Sequence, residues 1–464
     1  MATTCDLAVI GSGPGGYAAA LAAARRGAAV ALIEREAWGG VCLNVGCIPT
    51  KAFLASAHLL RRIRHAREFG ITVQGVEVDY AAVRERTEQI VATLRRGLTE
   101  LLRREGVRLV QGSAAFEDQR TLRLTQDGKT ERLSASHIVI ATGARPIAGP
   151  WAFDEERVLS YRGLLALATL PKSLLIIGGG VIGCEFASCF AAFGAKVTIV
   201  EQQPQLLPQD DPDAVRWLAR RLEADGATVV TGATVQQLAV QPGGVSATLS
   251  TGTQVSAERC LISIGQRPNL EGLQLDKAGI AAGRGIQVDQ SLRTSRPHIA
   301  AIGDCLEGHG LAHWASAEGM LAARALLGEA TEPLDAAEIP RCIFTTPEIA
   351  QVGPLQSQAG NVRVSRFSLA ALGKSHCDGD TEGFVKLLVD PVTERITGAT
   401  IVGESASQLI HYAVVAMRQG LTAKQLAQTV TAHPTMPEAV TEAAAHLYGE
   451  SLSVARASTA RARA

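Results

Sequence analysis

The chain lacks an excess of either charge. Its Lys and Arg total 45, as do its Asp and Glu, so it carries no electrostatic footprint for a nucleic acid. It lacks a run of about 18 uninterrupted apolar residues of the kind that crosses a membrane. Its opening, Met1-Ala2-Thr3-Thr4-Cys5-Asp6, is too polar and too brief for a signal peptide, and strand-like sequence follows at once. No second Cys or His pair at ligand spacing stands near the cysteine run described below, which argues against zinc. Nine cysteines without a disulfide framework suit a reducing, cytoplasmic setting. The length, 464 residues with 47% hydrophobic, suffices for about three domains with several cores.

What is present is concentrated in short runs. Cys42 and Cys47 sit in Gly39-Gly40-Val41-Cys42-Leu43-Asn44-Val45-Gly46-Cys47-Ile48-Pro49-Thr50-Lys51. Two thiols so spaced can close into a small disulfide ring. The glycines and Pro49 mark a sharp turn into a helix, and a thiolate near a helix start is stabilised by the partial positive charge there. The other seven cysteines (Cys5, Cys184, Cys189, Cys260, Cys305, Cys342, Cys377) read as small buried hydrophobes.

Two similar units flank this logic. Leu7 to Ile10 is a short apolar strand, followed by Gly11-Ser12-Gly13-Pro14-Gly15-Gly16, an Ala-rich helix to about Arg26, and a strand from Ala29 to Ile33 ending at Glu34. The plan returns with Ser173 to Ile177, Gly178-Gly179-Gly180-Val181-Ile182-Gly183, a helix from about Cys184 to Phe193, and Lys196 to Val200 ending at Glu201. Each is βαβ with G-x-G-x-x-G. The first glycine permits the tight turn, the second admits a pyrophosphate, and the third lets helix pack on strand. Helix amides then face the phosphate. In both units the acid follows the third glycine by 18 positions, where it reaches ribose hydroxyls. Two dinucleotide sites follow. Glu201 repels a 2′-phosphate, and Gln202 and Gln203 offer no cation for one, so NAD is favoured over NADP in the second unit.

The cysteine run resembles the active-site segment of the flavin-dependent pyridine nucleotide-disulfide oxidoreductases of class I, and is most like the branch whose members oxidise dihydrolipoamide. Val139 to Pro146 resembles the exit from that family's FAD domain, and Ile262 to Asn269 the return from its NAD domain. Ala301-Ile302-Gly303-Asp304 resembles the second FAD motif, and Leu311-Ala312-His313 the segment near the flavin ring. Ile339 to Gly353 resembles the start of the dimerisation domain, which continues through a strand, Gly383 to Asp390, and a helix, Ala406 to Arg418. Ala432-His433-Pro434-Thr435-Met436-Pro437-Glu438 resembles the catalytic histidine and its orienting glutamate. The resemblance covers about residues 5 to 450.

What the resemblance implies is an α/β protein with two Rossmann-like domains plus a C-terminal α+β dimerisation domain. The boundaries are 1–146 (FAD), 147–268 (NAD), 269–337 (FAD, returning) and 338–464 (dimerisation). FAD contacts fall on Gly11, Gly13, Gly16, Glu34, Lys51, Gly112, Ala114, Thr142, Gly143, Gly303, Asp304 and Ala312. NAD contacts fall on Gly178, Gly180, Gly183, Glu185, Glu201 and Gly265. Lys51 and Glu185 match the family's Lys–Glu pair near the flavin and the nicotinamide, a pairing that the resemblance alone implies and that suits charges tolerated in burial mainly as pairs. Cys42 is the interchange thiol and Cys47 the flavin-side thiol. His433, tuned by Glu438, is the base that makes thiolate from a dithiol, and it acts across a homodimer. The substrate is dihydrolipoamide on a lipoylated carrier protein of a 2-oxoacid dehydrogenase-type complex. The alternatives are another NAD(P)H-dependent disulfide reductase of the family, or a non-catalytic flavoprotein subunit. Departures from the family pattern are Trp314 for a common Lys, Gly310 for Met, Thr431 for His, Met436-Pro437 for Leu-Ser and Thr50 for Ser; they bear on which carrier docks. Asp276-Lys277-Ala278 reads as a surface turn, the segment from Arg84 to Glu105 as a solvated helix, and the basic tail 456–464 as frayed.

Overall fold

The computed structural model describes residues 3–308 and 310–455; the tail 456–464 lies outside them. Contacts divide the chain into two compact units, one from Met1–Phe53, Asp79–Thr169 and Ile262–Leu334, the other from Leu54–Val78, Leu170–Leu261 and Asp335–Ala464.

In the first unit β1 (Thr3–Ile10) runs parallel to β2 (Val30–Glu34), with Leu7 opposite Val30 and Ile10 opposite Ile33. β3 (Arg108–Gln111) extends that side, and β6 (Lys129–Ile140), reached through the antiparallel β4 (Ser113–Phe116) and β5 (Thr121–Gln126), pairs parallel to β1 on the other. The strand order thus reverses at β1, and the turn after β1 opens at the crevice where such sheets bind ligands. Ile299–Ala301 adds in parallel to β6. α1 (Pro14–Ala24) buries Gly15, Gly16, Ala19, Ala20 and Ala23. These small side chains let it lie close to the helix Ala312–Leu326: a Cβ on Gly319 would strike the Gly15 carbonyl, and one on Gly15 would meet the Ala315 carbonyl oxygen at 2.9 Å. That close approach is why the helix is Ala-rich. The segments expected to leave and rejoin this part of the chain pair with each other, Arg145 opposite Arg267 and Pro146 opposite Gln266.

In the second unit Ser173–Ile177, Lys196–Glu201 and Thr228–Thr231 form parallel neighbours, with Val181–Phe193 buried along nearly its whole length. A C-terminal antiparallel sheet follows the order Arg341–Ile343, Glu348–Val352, Ile396–Gly403, Phe384–Val389, Arg363–Ser368. Helices Ala406–Arg418 and Glu438–His446 cover it through Leu409, Ala413, Val440 and Ala444.

α2 (Gly40–Val45) and α3 (Cys47–Arg64) carry the cysteine pair. By length and composition alone the stretch Gly40–Arg64 could cross a membrane. Gly46 interrupts it, and the 18 continuous residues of α3, about 27 Å long, end in Arg61, Arg62 and Arg64. The helix expected around Arg84 to Glu105 spans Tyr80–Arg104 (α4); it is solvated over most of its surface, as expected, and covered along one stripe that buries Tyr80, Thr87, Val91 and Leu102. Asp276 and Lys277 are exposed in a turn, as expected. The cysteines depart from expectation at three positions: Cys377 is exposed on the short helix Gly373–Asp378, and Cys5 and Cys342, on strands with partly open faces, are only half-buried.

Candidate active site

The first glycine turn is shaped as its sequence requires. Gly11 takes φ +101°, a left-handed conformation reserved in practice for glycine. A Cβ on Gly16 would overlap the Gly11 carbonyl, whereas one on Gly13 would meet nothing within 4 Å. Gly13 caps α1 without a side-chain bond, so the amide end of the helix faces open space of a kind a phosphate can fill. Ser316 donates to the Pro14 carbonyl at 3.3 Å. Together with the Gly15–Ala315 approach and the Ala19–Gly319 approach, this runs α1 and Ala312–Leu326 in the same direction, their N-termini side by side.

Glu34 is buried and organises the loop. Its Oε2 accepts from the Ser12 amide (3.0 Å) and hydroxyl (2.6 Å), and its Oε1 accepts from the Glu36 amide at 2.8 Å. Oε1 keeps acceptor capacity for a ribose hydroxyl. Ser12 in turn accepts from the Gly39 amide at 3.0 Å, and a Cβ on Gly40 would meet the Gly13 Cα at 2.6 Å. The cysteine segment is thereby pressed onto the fingerprint loop. Asn44 reinforces this: its amide donates to the carbonyls of Ala37, Trp38 and Gly40, and its Oδ1 accepts from Arg95 of α4 at 2.8 Å. Ser12, Asn44 and Arg95 were not singled out in the sequence. Ser12 and Asn44 lie inside recognisable motifs, while Arg95 gives no local signal.

Cys42 lies on α2 and Cys47 opens α3, both half-buried and unbridged. The hydrogen bond with the Cys47 sulfur, burial, and the charge of Cys47 hold the Cys42 thiol well above the usual range; Lys51 and the Cys47 backbone pull the other way but do not prevail. Lys51 lies in the first turns of α3, half-buried.

Further along the same unit, Gly112 bonds the Glu34 carbonyl through its amide at 2.8 Å, while Ala114 is buried in the apolar core. The Thr142 hydroxyl is buried without a hydrogen-bond partner among the described residues. Gly143 and Gly303 take φ +66° and +67°. Burial raises the Asp304 carboxyl above its ordinary pKa, and no described residue donates to its side chain. The neighbouring amide, Gly303, bonds Glu318 at 2.6 Å; burial raises Glu318 too, against the bonds from Gly303 and from Trp314. Trp314, a departure from the family pattern, therefore steadies the loop that carries Asp304. Ala312 begins the helix beside α1. Orphaned hydroxyl, open glycine cradle and unpaired carboxylate together fit FAD.

In the second unit Gly178 takes φ +105°, Gly180 caps Val181–Phe193 with open space around it, and Gly183 is buried. Glu201 accepts from the Gly179 amide at 2.6 Å and the Gln203 amide at 2.8 Å. The set fits a second dinucleotide. Glu185 is buried, its Oε1 accepting from the Phe344 amide at 3.0 Å. Gly265, assigned with these residues, belongs by contacts to the first unit, with φ +122°. His433 is exposed, and its Nδ1 bonds Glu438 Oε2 at 2.8 Å. Burial alone would raise the Glu438 carboxyl; the bonds from His433 and from the Thr435 amide (2.6 Å) outweigh it and hold the group below its ordinary value. A carboxylate on Nδ1 leaves Nε2 as the free basic nitrogen.

Residues 5–319 match the family described as pyridine nucleotide-disulphide oxidoreductase, and residues 339–444 match its dimerisation domain. The chain is 39% identical to a dihydrolipoyl dehydrogenase of Bacillus subtilis over 94% of its own length and 97% of that protein's. It is 40% identical to one of Chlorobaculum tepidum, covering 96% and 97%. Among solved structures it resembles LpdA of Mycobacterium tuberculosis, with TM-score 0.91, 32% identity, and 96% and 99% of the two chains covered. It also resembles the HOCl-induced flavoprotein disulfide reductase RclA of Escherichia coli, with TM-score 0.86, 29% identity, and 95% and 99% covered.

Proposed function

Because the chain belongs to the pyridine nucleotide-disulphide oxidoreductase family, we propose that it is a dihydrolipoyl dehydrogenase, moving two electrons from a dihydrolipoyl dithiol to NAD. The observation that carries this reading is the cysteine pair packed on the first glycine turn, Gly40 against Gly13 and Gly39 on Ser12.

Cys42 is the interchange thiol. A substrate thiolate attacks its sulfur in the Cys42–Cys47 disulfide and Cys47 leaves as thiolate; the second substrate sulfur then displaces Cys42. Lipoamide is released as disulfide, and the pair is left as dithiol. Substrate thiols need a base, and the high-held Cys42 thiol needs one in reverse. His433 Nε2 takes that proton, from the partner subunit of a homodimer, with Glu438 fixing the ring. FAD, held by Gly11, Gly13, Gly16, Glu34, Thr142 and Asp304, supplies the two-electron relay between the thiols and the nicotinamide. Lys51 and Glu185 are the charged residues assigned to that transfer, and Glu201 selects NAD. The match to a dimerisation domain supports the homodimer. The carrier is a lipoylated protein of a 2-oxoacid dehydrogenase-type complex, in the cytoplasm. The test is direct: purified protein, assayed for flavin content and for NADH formation from dihydrolipoamide. A flavoprotein that reduces no NAD with this dithiol overturns the reading.

A further inference from the structure

Tyr161 opens the short helix Tyr161–Ala166, which packs on α2, the helix of Cys42. Tyr161 is 5% exposed, and its hydroxyl is buried with no described residue accepting its proton; Arg162 acts on it as a donor. Charged groups surround it. Arg162, which bonds Glu36 at 2.9 Å, lies beside it and has only protons to donate. Asp304 and Glu36 both act on its titration: burial first, then these two carboxylates, push the phenol above its ordinary pKa against the pull of Arg162. Neither carboxylate accepts its proton. Two more orphaned groups belong to the same neighbourhood. The Thr142 hydroxyl and Asn269 Oδ1 are buried and unpartnered, Asn269 donates to the Thr142 carbonyl at 3.2 Å, and the Thr142 backbone acts on Cys305, next to Asp304.

A buried phenolic donor without an acceptor is costly, and native structures rarely keep one unless a ligand or water takes the proton. Glu36 lies two residues beyond Glu34, the acid assigned to the ribose, and Asp304 is assigned to the ribityl chain. What joins those two parts of the cofactor is its pyrophosphate, rich in acceptor oxygens. We propose that Tyr161 is a flavin-binding residue of this chain, its hydroxyl donating a hydrogen bond to the sugar-phosphate segment of FAD. This rests on the FAD assignment above and adds a contact that the glycine fingerprint does not contain.

Tyr161→Phe removes the hydroxyl and keeps the ring. FAD release from diluted holoenzyme, followed by flavin fluorescence, is expected to be about tenfold faster, the loss of one hydrogen bond to a charged acceptor. The unfolding midpoint measured over a series of FAD concentrations is expected to shift to higher FAD, since a weaker ligand stabilises only at higher concentration. Unchanged release, with a midpoint lowered equally at every FAD concentration, means a packing role and overturns the proposal. Should the variant fail to fold, 3-fluorotyrosine at position 161 of the otherwise native chain reports instead: a 19F resonance that moves on FAD release supports the contact, and one that does not overturns it. A native chain that binds no FAD overturns the assignment of function itself.

Discussion

The two glycine turns follow one plan and differ at three of six positions, Ser12 against Gly179, Pro14 against Val181 and Gly15 against Ile182; the first of these sets what each loop is fastened to. Both open on a left-handed glycine, Gly11 and Gly178, and both end on an acid, Glu34 and Glu201, that accepts from a loop amide and from the amide two residues on. Between the first two glycines the first turn has Ser12 and the second has Gly179. Ser12 ties Glu34 to Gly39 and so fastens the thiol segment to the loop. A Cβ on Gly179 would meet Leu206 at 2.6 Å and Glu201 at 2.9 Å, and its carbonyl accepts from the Leu207 amide. There a leucine turn closes the loop and no reactive segment is attached. The same cradle thus serves two tasks: one holds a resident cofactor against its redox partner, and the other receives a nucleotide that must come and go.

Cys42→Ser tests the chemical half of that contrast and has the largest expected effect. Dihydrolipoamide turnover is abolished while flavin content stays near native, because the glycine turn is untouched; native turnover would remove Cys42 from the mechanism. His433→Gln is expected to lower dithiol turnover by about 10²–10⁴-fold, the usual contribution of a positioned base. Mixing those subunits with Cys42→Ser subunits restores one intact site per mixed dimer if the histidine acts across the dimer. No recovery in a mixture shown to exchange subunits assigns the histidine to its own chain or to no role.

Smaller effects sharpen the contrast between the loops. Glu201→Ala is expected to narrow the preference for NAD over NADP, read as the ratio of the two kcat/KM values; a native enzyme preferring NADP defeats the assignment. Ser12→Ala strands the Gly39 amide and removes a donor from Glu34, at a cost of about 1–3 kcal/mol, visible as earlier thermal release of FAD. The smallest effect concerns pH. The Glu438 carboxyl is held below its unfolded value, so its stabilisation is complete above the unfolded carboxylate pKa of about 4.3. It is lost as pH falls through the lower folded value. Glu438→Gln should flatten this part of the acid limb of the unfolding curve, and an unchanged limb would contradict the assignment.

Much of this site is local chemistry and was legible in the chain. A left-handed glycine, a helix started by Pro14 and an acid at a strand end follow rules that act over a few residues. The His433–Glu438 bond spans five positions and needed only a turn. The chain was silent or misleading where burial depends on distant partners. α4 is mostly solvated, as its many charged residues imply, but nothing local marked the stripe that is covered. Cys377 looked buried by type, yet its short helix leaves it exposed.

The chain by itself determined two dinucleotide cradles, a thiol pair beside the first, and a histidine with its carboxylate, because backbone sterics and short-range hydrogen bonds select those residues in that order. Only the tertiary structure decided that Gly40 lies on Gly13, that Arg95 holds Asn44, that α1 and Ala312–Leu326 present their N-termini together, and that Tyr161 keeps an unanswered proton near Asp304. Those partners are far apart in sequence. No local preference encodes them; they exist because the sheet and its buried faces bring the segments together.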